Sequence, residues 1–180
     1  MEPFAKGKRS LIYKEDNVII KIEREDSKAV NRIQNEALWL KKLNNYNIGP
    51  KFIKLENNKL YMEYIQGILI LDYTKDITKK EKIMLLTDLL NQCRILDTLK
   101  VDKLEMHHPI KHVIIRNKKV ILIDYERCKF TEKPKNVTQV CQFIARYYHL
   151  PEILEIAKKY KEKYSEKEFE NLKKCLTNIS

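Results

Sequence analysis

VIIKI, residues 18–22, sets one lysine among four β-branched apolar residues. The run reads as a strand, and on it alone two readings of Lys21 stay open. The lysine is either plain alternation with its ammonium in solvent, or a charge carried inward. The stretch SKAVNRIQNEALWLKKLNN, residues 27–45, bears on the choice. Its apolar residues Val30, Ile33, Ala37 and Leu40 recur at helical spacing. Glu36 stands three residues after Ile33 and four before Leu40, on the stripe that faces inward. Burying a carboxylate there without a partner costs free energy, and a lysine from a neighbouring strand is its natural counter-charge. A third charge, Asp124, ends the apolar run VILI, residues 120–123, where an aspartate also serves to cap a turn.

Working outward, SLIY (10–13) is a further strand, separated from VIIKI by the turn residues KEDN. IGPKFIKLENNKLYMEYIQG (48–67) breaks at Gly49-Pro50, gives two more strands around ENNK, and stops at Gly67. The pattern then turns helical. In ITKKEKIMLLTDLLNQCRILDTL (77–99), Thr78 and Glu81 form a capping-box pattern ahead of apolar positions 83, 86, 90 and 93. HVIIRNKKVILID (112–124) reads as a hairpin turning near Asn117-Lys118. Three more helices follow over 136–150, 151–164 and 165–176, with Pro151 suited to a first helical turn and Ser165 with Glu168 repeating the capping box. The order is these strands with one helix, a short connection at 64–67, then a helical lobe carrying one hairpin. That is a two-lobed α+β design.

A chain of 180 residues fits one domain or two small lobes, and 43% apolar content is enough for a sizeable core. Charged content of 34%, rich in Lys and Glu, suits a soluble protein and carries a compositional hint of a hot habitat. No apolar run approaches the ~20 residues of a membrane span, and MEPFAKGKRS lacks the apolar core of a signal peptide. The expectation is a cytoplasmic protein without a membrane partner. Cys93, Cys128, Cys141 and Cys175 are widely spaced and read as buried thiols rather than zinc ligands or disulfides. The net charge of +11 attracts phosphate-bearing partners, but its lysines are spread along the chain. A diffuse solvated surface and a nucleic-acid face both fit that distribution.

Lys21 in VIIKIER, Glu36 in NEALWLKKL, the hinge-like YMEYIQG and LIDYERC occur in an order that resembles the protein-kinase-like superfamily. The nearest likeness is to small atypical archaeal kinases, the RIO-type proteins and the kinase of the tRNA-modifying KEOPS complex. KGKRSLIYKEDNVIIKIER is similar to the KEOPS kinase's opening, whose nucleotide loop holds one glycine where ordinary kinases have three. The resemblance covers roughly residues 5–148. It implies a two-lobed protein-kinase-like fold, with an antiparallel-sheet N-lobe with one helix over 1–66 and a reduced, mainly helical C-lobe over 67–180. It implies ATP as cofactor, with Mg2+ or Mn2+, bound between the lobes. Lys21 would meet the α/β-phosphates, held by Glu36, and Asp124, in DYE where kinases have D-F-G, would ligate the metal. Residues 7–13, with Gly7, Lys8 and Tyr13, would cover the phosphates; backbone at Glu63, Tyr64 and Ile65 would meet adenine.

Three of the four histidines fall in EMHHPIKH, residues 105–112. The family expects H-x-D-x-x-x-x-N there. Aligned on the following strand, His112 takes the Asn position, His107 the Asp position, and Glu105 the His position. His107 can accept a proton near neutral pH and stands as the base, with Glu105 as second candidate. Lys111 either touches the γ-phosphate or is solvated. His112 falls at the second metal position, but Mg2+ prefers oxygen, so one well-held metal on Asp124 is expected rather than two. A transition-metal site and a purely structural loop are competing readings, and Pro109 argues against a helix joining His108 to His112. Where the family often braces this loop with an aspartate, the chain offers Asn136, Thr138 or Gln139. Loss of a positioned base forfeits ~10²–10⁴ in rate. The expectation is therefore an atypical serine/threonine protein kinase with weak transfer to an unidentified protein substrate. The alternative is a non-catalytic pseudokinase scaffold binding nucleotide, RNA, a ribonucleoprotein or a protein through its basic surface. A small-molecule kinase comes third, since the C-terminal substrate lobe is missing.

Overall fold

The β-branched runs and the short turns between them determine the sheet. The structure, a computed structural model, describes residues 2–7, 9–24, 26 and 31–179. It divides into two units, Met1–Gly67 with Ile121–Cys128, and Ile68–Val120 with Lys129–Ser180. In unit 1, β1 (Ala5–Lys6), β2 (Ser10–Glu15) and β3 (Val18–Glu23) precede helix α1 (Arg32–Leu43), and β4 (Phe52–Glu56) and β5 (Lys59–Glu63) follow it. The strands pair antiparallel in the order β1-β2-β3-β5-β4. Asn57 and Asn58 turn the β4–β5 hairpin with φ of 48° and 57°, the left-handed pair a two-residue turn needs. Helix α1 buries Ile33 and Ala37 against Leu60, with Phe52 and Met62 packed around them. Each fully buried aliphatic side chain contributes roughly 1.5–3 kcal/mol. The first helical amide, that of Arg32, donates to Glu23 Oε1 at 2.6 Å. Val30 and the start of the expected helix at 27 lie outside the described residues.

The returning segment 121–128 completes this unit. Tyr125 is buried there and donates its hydroxyl to the Leu122 carbonyl at 3.0 Å. Gly49 lies beneath it with φ of +82°, and a Cβ at that position would fall 2.9 Å from both Leu40 Cδ1 and the Tyr125 ring. Only glycine meets both demands.

Unit 2 holds β6 (Ile68–Leu69), α2 (Ile70–Tyr73), α3 (Lys79–Thr98), β7 (Val101–Asp102), β8 (Val113–Arg116) and the first half of β9 (Lys119–Leu122). It continues with β10 (Lys129–Phe130), α4 (Asn136–Tyr147), α5 (Ile153–Lys163) and α6 (Glu166–Cys175). Thr78 and Glu81 close a full capping box at α3, and Ser165 accepts the Glu168 amide at α6. Helix α5 begins two residues later than its sequence pattern, because Pro151 and Glu152 form a turn. Leu86, Leu89, Leu90, Val140, Phe143 and Ile144 are buried where the helices pack. All four cysteines are buried free thiols, and burial pushes those of Cys93 and Cys141 well up. The two-residue strands β1, β6, β7 and β10, and the single turn α2, have no counterpart in the sequence pattern. Among the described residues no helix is long and apolar enough to cross a membrane.

Candidate functional site

The three charges read from the sequence meet in unit 1. Lys21 lies on the β3 face that packs against α1, paired across to Leu60 on β5. Its Nζ donates to Glu36 Oε2 at 2.6 Å and to Asp124 Oδ1 at 3.3 Å. A fourth group joins them that sequence reasoning missed: Glu126 Oε2 lies 3.5 Å from Nζ, and its other oxygen accepts from Arg9 Nη1 at 3.1 Å. Side-chain exposure is 6% for Lys21, 1% for Glu36 and 11% for Glu126. Burial works against the ammonium, but Glu36, Asp124 and Glu126 outweigh it and hold the Lys21 pKa above its ordinary value. Glu36 uses its second oxygen to accept the Tyr125 amide at 3.0 Å. Asn35 Nδ2 donates to the carbonyls of Glu126 and Cys128, and Arg32 Nη1 to that of Glu126, tying this segment to α1. Asp124 itself takes a left-handed φ of 66°, an uncommon backbone state for a residue with a side chain. Carboxylate oxygens of Glu36, Asp124 and Glu126 lie within 4.8 Å of one another. They are the hard donors Mg2+ takes.

The other expected ligands in unit 1 divide. Gly7 closes the β1–β2 turn, donating its amide to the Ser10 carbonyl at 2.9 Å; Lys8 lies outside the described residues. Tyr13 is on the sheet face away from Lys21, where it lines a shallow groove with Ile20, Ile22 and Tyr61. The strand register explains this, because Tyr13 pairs with Ile20 while Ile12 pairs with Lys21, and cross-strand partners share a face. Ile12 therefore stands on the lysine's side. At the end of β5, the Glu63 amide donates to Lys51 and the Tyr64 amide to Asn17. Among the described residues no hydrogen bond engages the amide of Ile65.

Glu105, His107, Lys111 and His112 lie in one loop of unit 2. Leu104 and Glu105 both take left-handed φ, at 63° and 57°, so the chain bends sharply there. Two of the three candidate braces hold it. Asn136 accepts the Lys103 amide at 2.9 Å and donates to the Val101 carbonyl, and Gln139 accepts the Met106 amide at 2.9 Å. Thr138 instead bonds the Lys135 carbonyl. His107 and Lys111 are exposed and His112 half-buried after a turn at Pro109–Lys111. His108 Nδ1 lies 3.2 Å from the Tyr147 hydroxyl. Among the described residues no histidine belongs to a cluster of three ligand side chains, so the three-histidine metal reading has no geometry behind it. His107 also lines a groove of about 530 Å3 between α4 and α5, together with Lys135, Gln142, Lys158 and Lys161, and no carboxylate is among its described lining residues. Asp97, on α3, is 4% exposed. It accepts from the Asn136 amide and side chain, the Val137 amide and the Tyr160 hydroxyl. Burial raises its pKa to about 6.

No protein-family model matches the sequence, and no curated protein matches it. Solved structures do. ADP-bound aminoglycoside phosphotransferase APH(2'')-Ib superposes with a TM-score of 0.57 at 14% identity, covering 97% of this chain and 92% of that one. The streptomycin–ATP ternary complex of APH(2'')-IIa gives 0.58 at 13% identity, with 99% and 91% covered. The fold is protein-kinase-like. Aminoglycoside phosphotransferases belong to that superfamily; the likeness carries the fold and does not single out its RIO-type or KEOPS branch.

Proposed function

We propose that the chain binds Mg-ATP on unit 1 and transfers phosphate weakly to a serine or threonine hydroxyl. The observation that carries this reading is the buried contact of Lys21 with Glu36 beside Asp124. Glu36 fixes the position of this cation, and placed positive charge is what phosphoryl transfer asks of a protein. Asp124 would hold the metal; the imidazole of His112 suits Mg2+ poorly. The metal would neutralise charge on the β- and γ-phosphates. Ile12 and the Gly7 turn would cover the nucleotide in place of Tyr13, and the Ile65 backbone would meet adenine. His107 is assigned the base, with Glu105 and Lys111 in the same loop.

The similar structures act on aminoglycosides, which are polycations. A chain of net charge +11 whose loop-side groove presents His107, Lys135, Lys158 and Lys161 repels such an acceptor. It favours a hydroxyl flanked by acidic groups. A second reading, a scaffold that binds nucleotide or RNA without transfer, is favoured by the histidines at 107 and 112.

Thermal melts with and without Mg-ATP test the binding. The wild type gains several degrees, and Lys21→Ala and Asp124→Asn, each compared with its own unliganded melt, gain none. A wild type that does not shift removes nucleotide from both readings. Labelled-phosphate transfer to a serine peptide with acidic flanks tests the chemistry. Transfer lost in Asp124→Asn and His107→Ala supports the kinase; binding without transfer supports the scaffold.

A further inference from the structure

An ammonium offers three N–H donors, and around Lys21 three carboxylates stand to meet them, Glu36 at 2.6 Å, Asp124 at 3.3 Å and Glu126 at 3.5 Å. A phosphate oxygen reaches this cation only by replacing one of them. Glu36 is fixed, since it is 1% exposed and its second oxygen takes the Tyr125 amide. Glu126 makes the longest contact of the three, and its remaining oxygen is held by Arg9, whose side chain is 30% exposed and follows the Gly7 turn. The backbone of Glu126 is separately anchored through Asn35 and Arg32. Its side chain can therefore swing while the main chain stays.

We infer that Glu126 is a built-in mimic of a nucleotide phosphate. With no nucleotide bound, its carboxylate bridges Lys21 and Arg9. Nucleotide phosphates, which offer the same paired anionic oxygens to the same cations, displace it and take over both. Where D-F-G carries glycine, this chain has a competing anion, and Glu126 sets the affinity. The inference rests on the nucleotide reading above and adds a residue that works against binding.

The test is titration of Mg-ATP, Mg-ADP and adenosine by calorimetry into the full chain and its variants. Glu126→Gln keeps the side chain's shape and leaves Lys21 balanced by Glu36 and Asp124. It should bind ATP and ADP on the order of tenfold more tightly, the scale of one charge-assisted contact no longer displaced, and adenosine no differently. Glu126→Ala should show the same gain, and Arg9→Gln added to Glu126→Gln should take part of it back. Equal or weaker ATP binding by Glu126→Gln overturns the inference, weaker binding making Glu126 a metal ligand. A gain that extends to adenosine overturns it too. If the wild type binds ATP through Lys21 and Glu126→Gln binds no better, the mimic falls while the nucleotide site stands. If neither binds, both fall.

Discussion

Glu36 in unit 1 and Asp97 in unit 2 are both carboxylates removed from water, and the protein stabilises them in opposite ways. Glu36 touches a cation directly at 2.6 Å. Among the described residues the donors to Asp97 are neutral, two amides, an amide side chain and a phenol. Arg94 reaches it at one remove, because Arg94 Nη1 donates at 2.7 Å to the same Tyr160 hydroxyl that donates to Asp97. A direct ion pair leaves a strong local field and a cation available for exchange. Neutral donors in fixed directions give position instead. Through Asn136, the Asp97 network reaches the segment leading into the 105–112 loop. One region thus holds charge, which on the proposed function serves phosphate, and the other holds geometry.

The sharpest way to break this comparison is to remove the cation. Lys21→Met strands Glu36 as a buried charge and should cost about 3–5 kcal/mol in urea unfolding. Adding Glu36→Gln, which still accepts the Tyr125 amide, should restore most of it. A loss below about 1 kcal/mol would mean the pair behaves as a solvated surface contact.

Acidity separates the two carboxylates next. Asp97 has a folded pKa of about 6, above the unfolded value near ~4. The folded state therefore holds the proton more tightly between those values, and stability from this residue is fully present below ~4 and is lost as pH rises through about 6. The stability difference between wild type and Asp97→Asn should shift in favour of the wild type by roughly 2–3 kcal/mol on going from pH 7 to pH 4. A difference that moves the other way would make Asp97 a conventionally stabilised carboxylate. The smallest effect belongs to Tyr160→Phe. It removes one donor to Asp97 and cuts the relay from Arg94, costing about 1 kcal/mol and moving the Asp97 titration, followed by carboxyl NMR, further up.

The legible parts of the molecule are those with a period. SLIY and VIIKI are β2 and β3, the alternating turn residues close their hairpins, and Asn117 and Lys118 take the left-handed pair at the β8–β9 turn. A two-residue strand has no period, so β1, β6, β7 and β10 emerge only from their partners. Tyr13 against Ile12 is a question of parity, decided by the register Ile12↔Lys21; one residue of slip exchanges the two faces. Asp97 carried the same signal that exposed Glu36. It continues the stripe of Leu86, Leu90 and Cys93 at helical spacing, all of them buried. Glu126 offered a fainter one, a second carboxylate two residues after Asp124, and its partner Arg9 is 117 residues away.

The way the chain returns to unit 1 has a consequence for synthesis. Lys21 and Glu36 leave the ribosome early, but Tyr125, which fills the space over Gly49 and donates to Glu36, comes with the segment 121–128. A nascent chain that ends at residue 67 has the sheet and helix but an open hole in their interior. The N-terminal third thus finishes maturing only after the hairpin has been translated, and a fragment expressed without residues 121–128 should be a poor mimic of it.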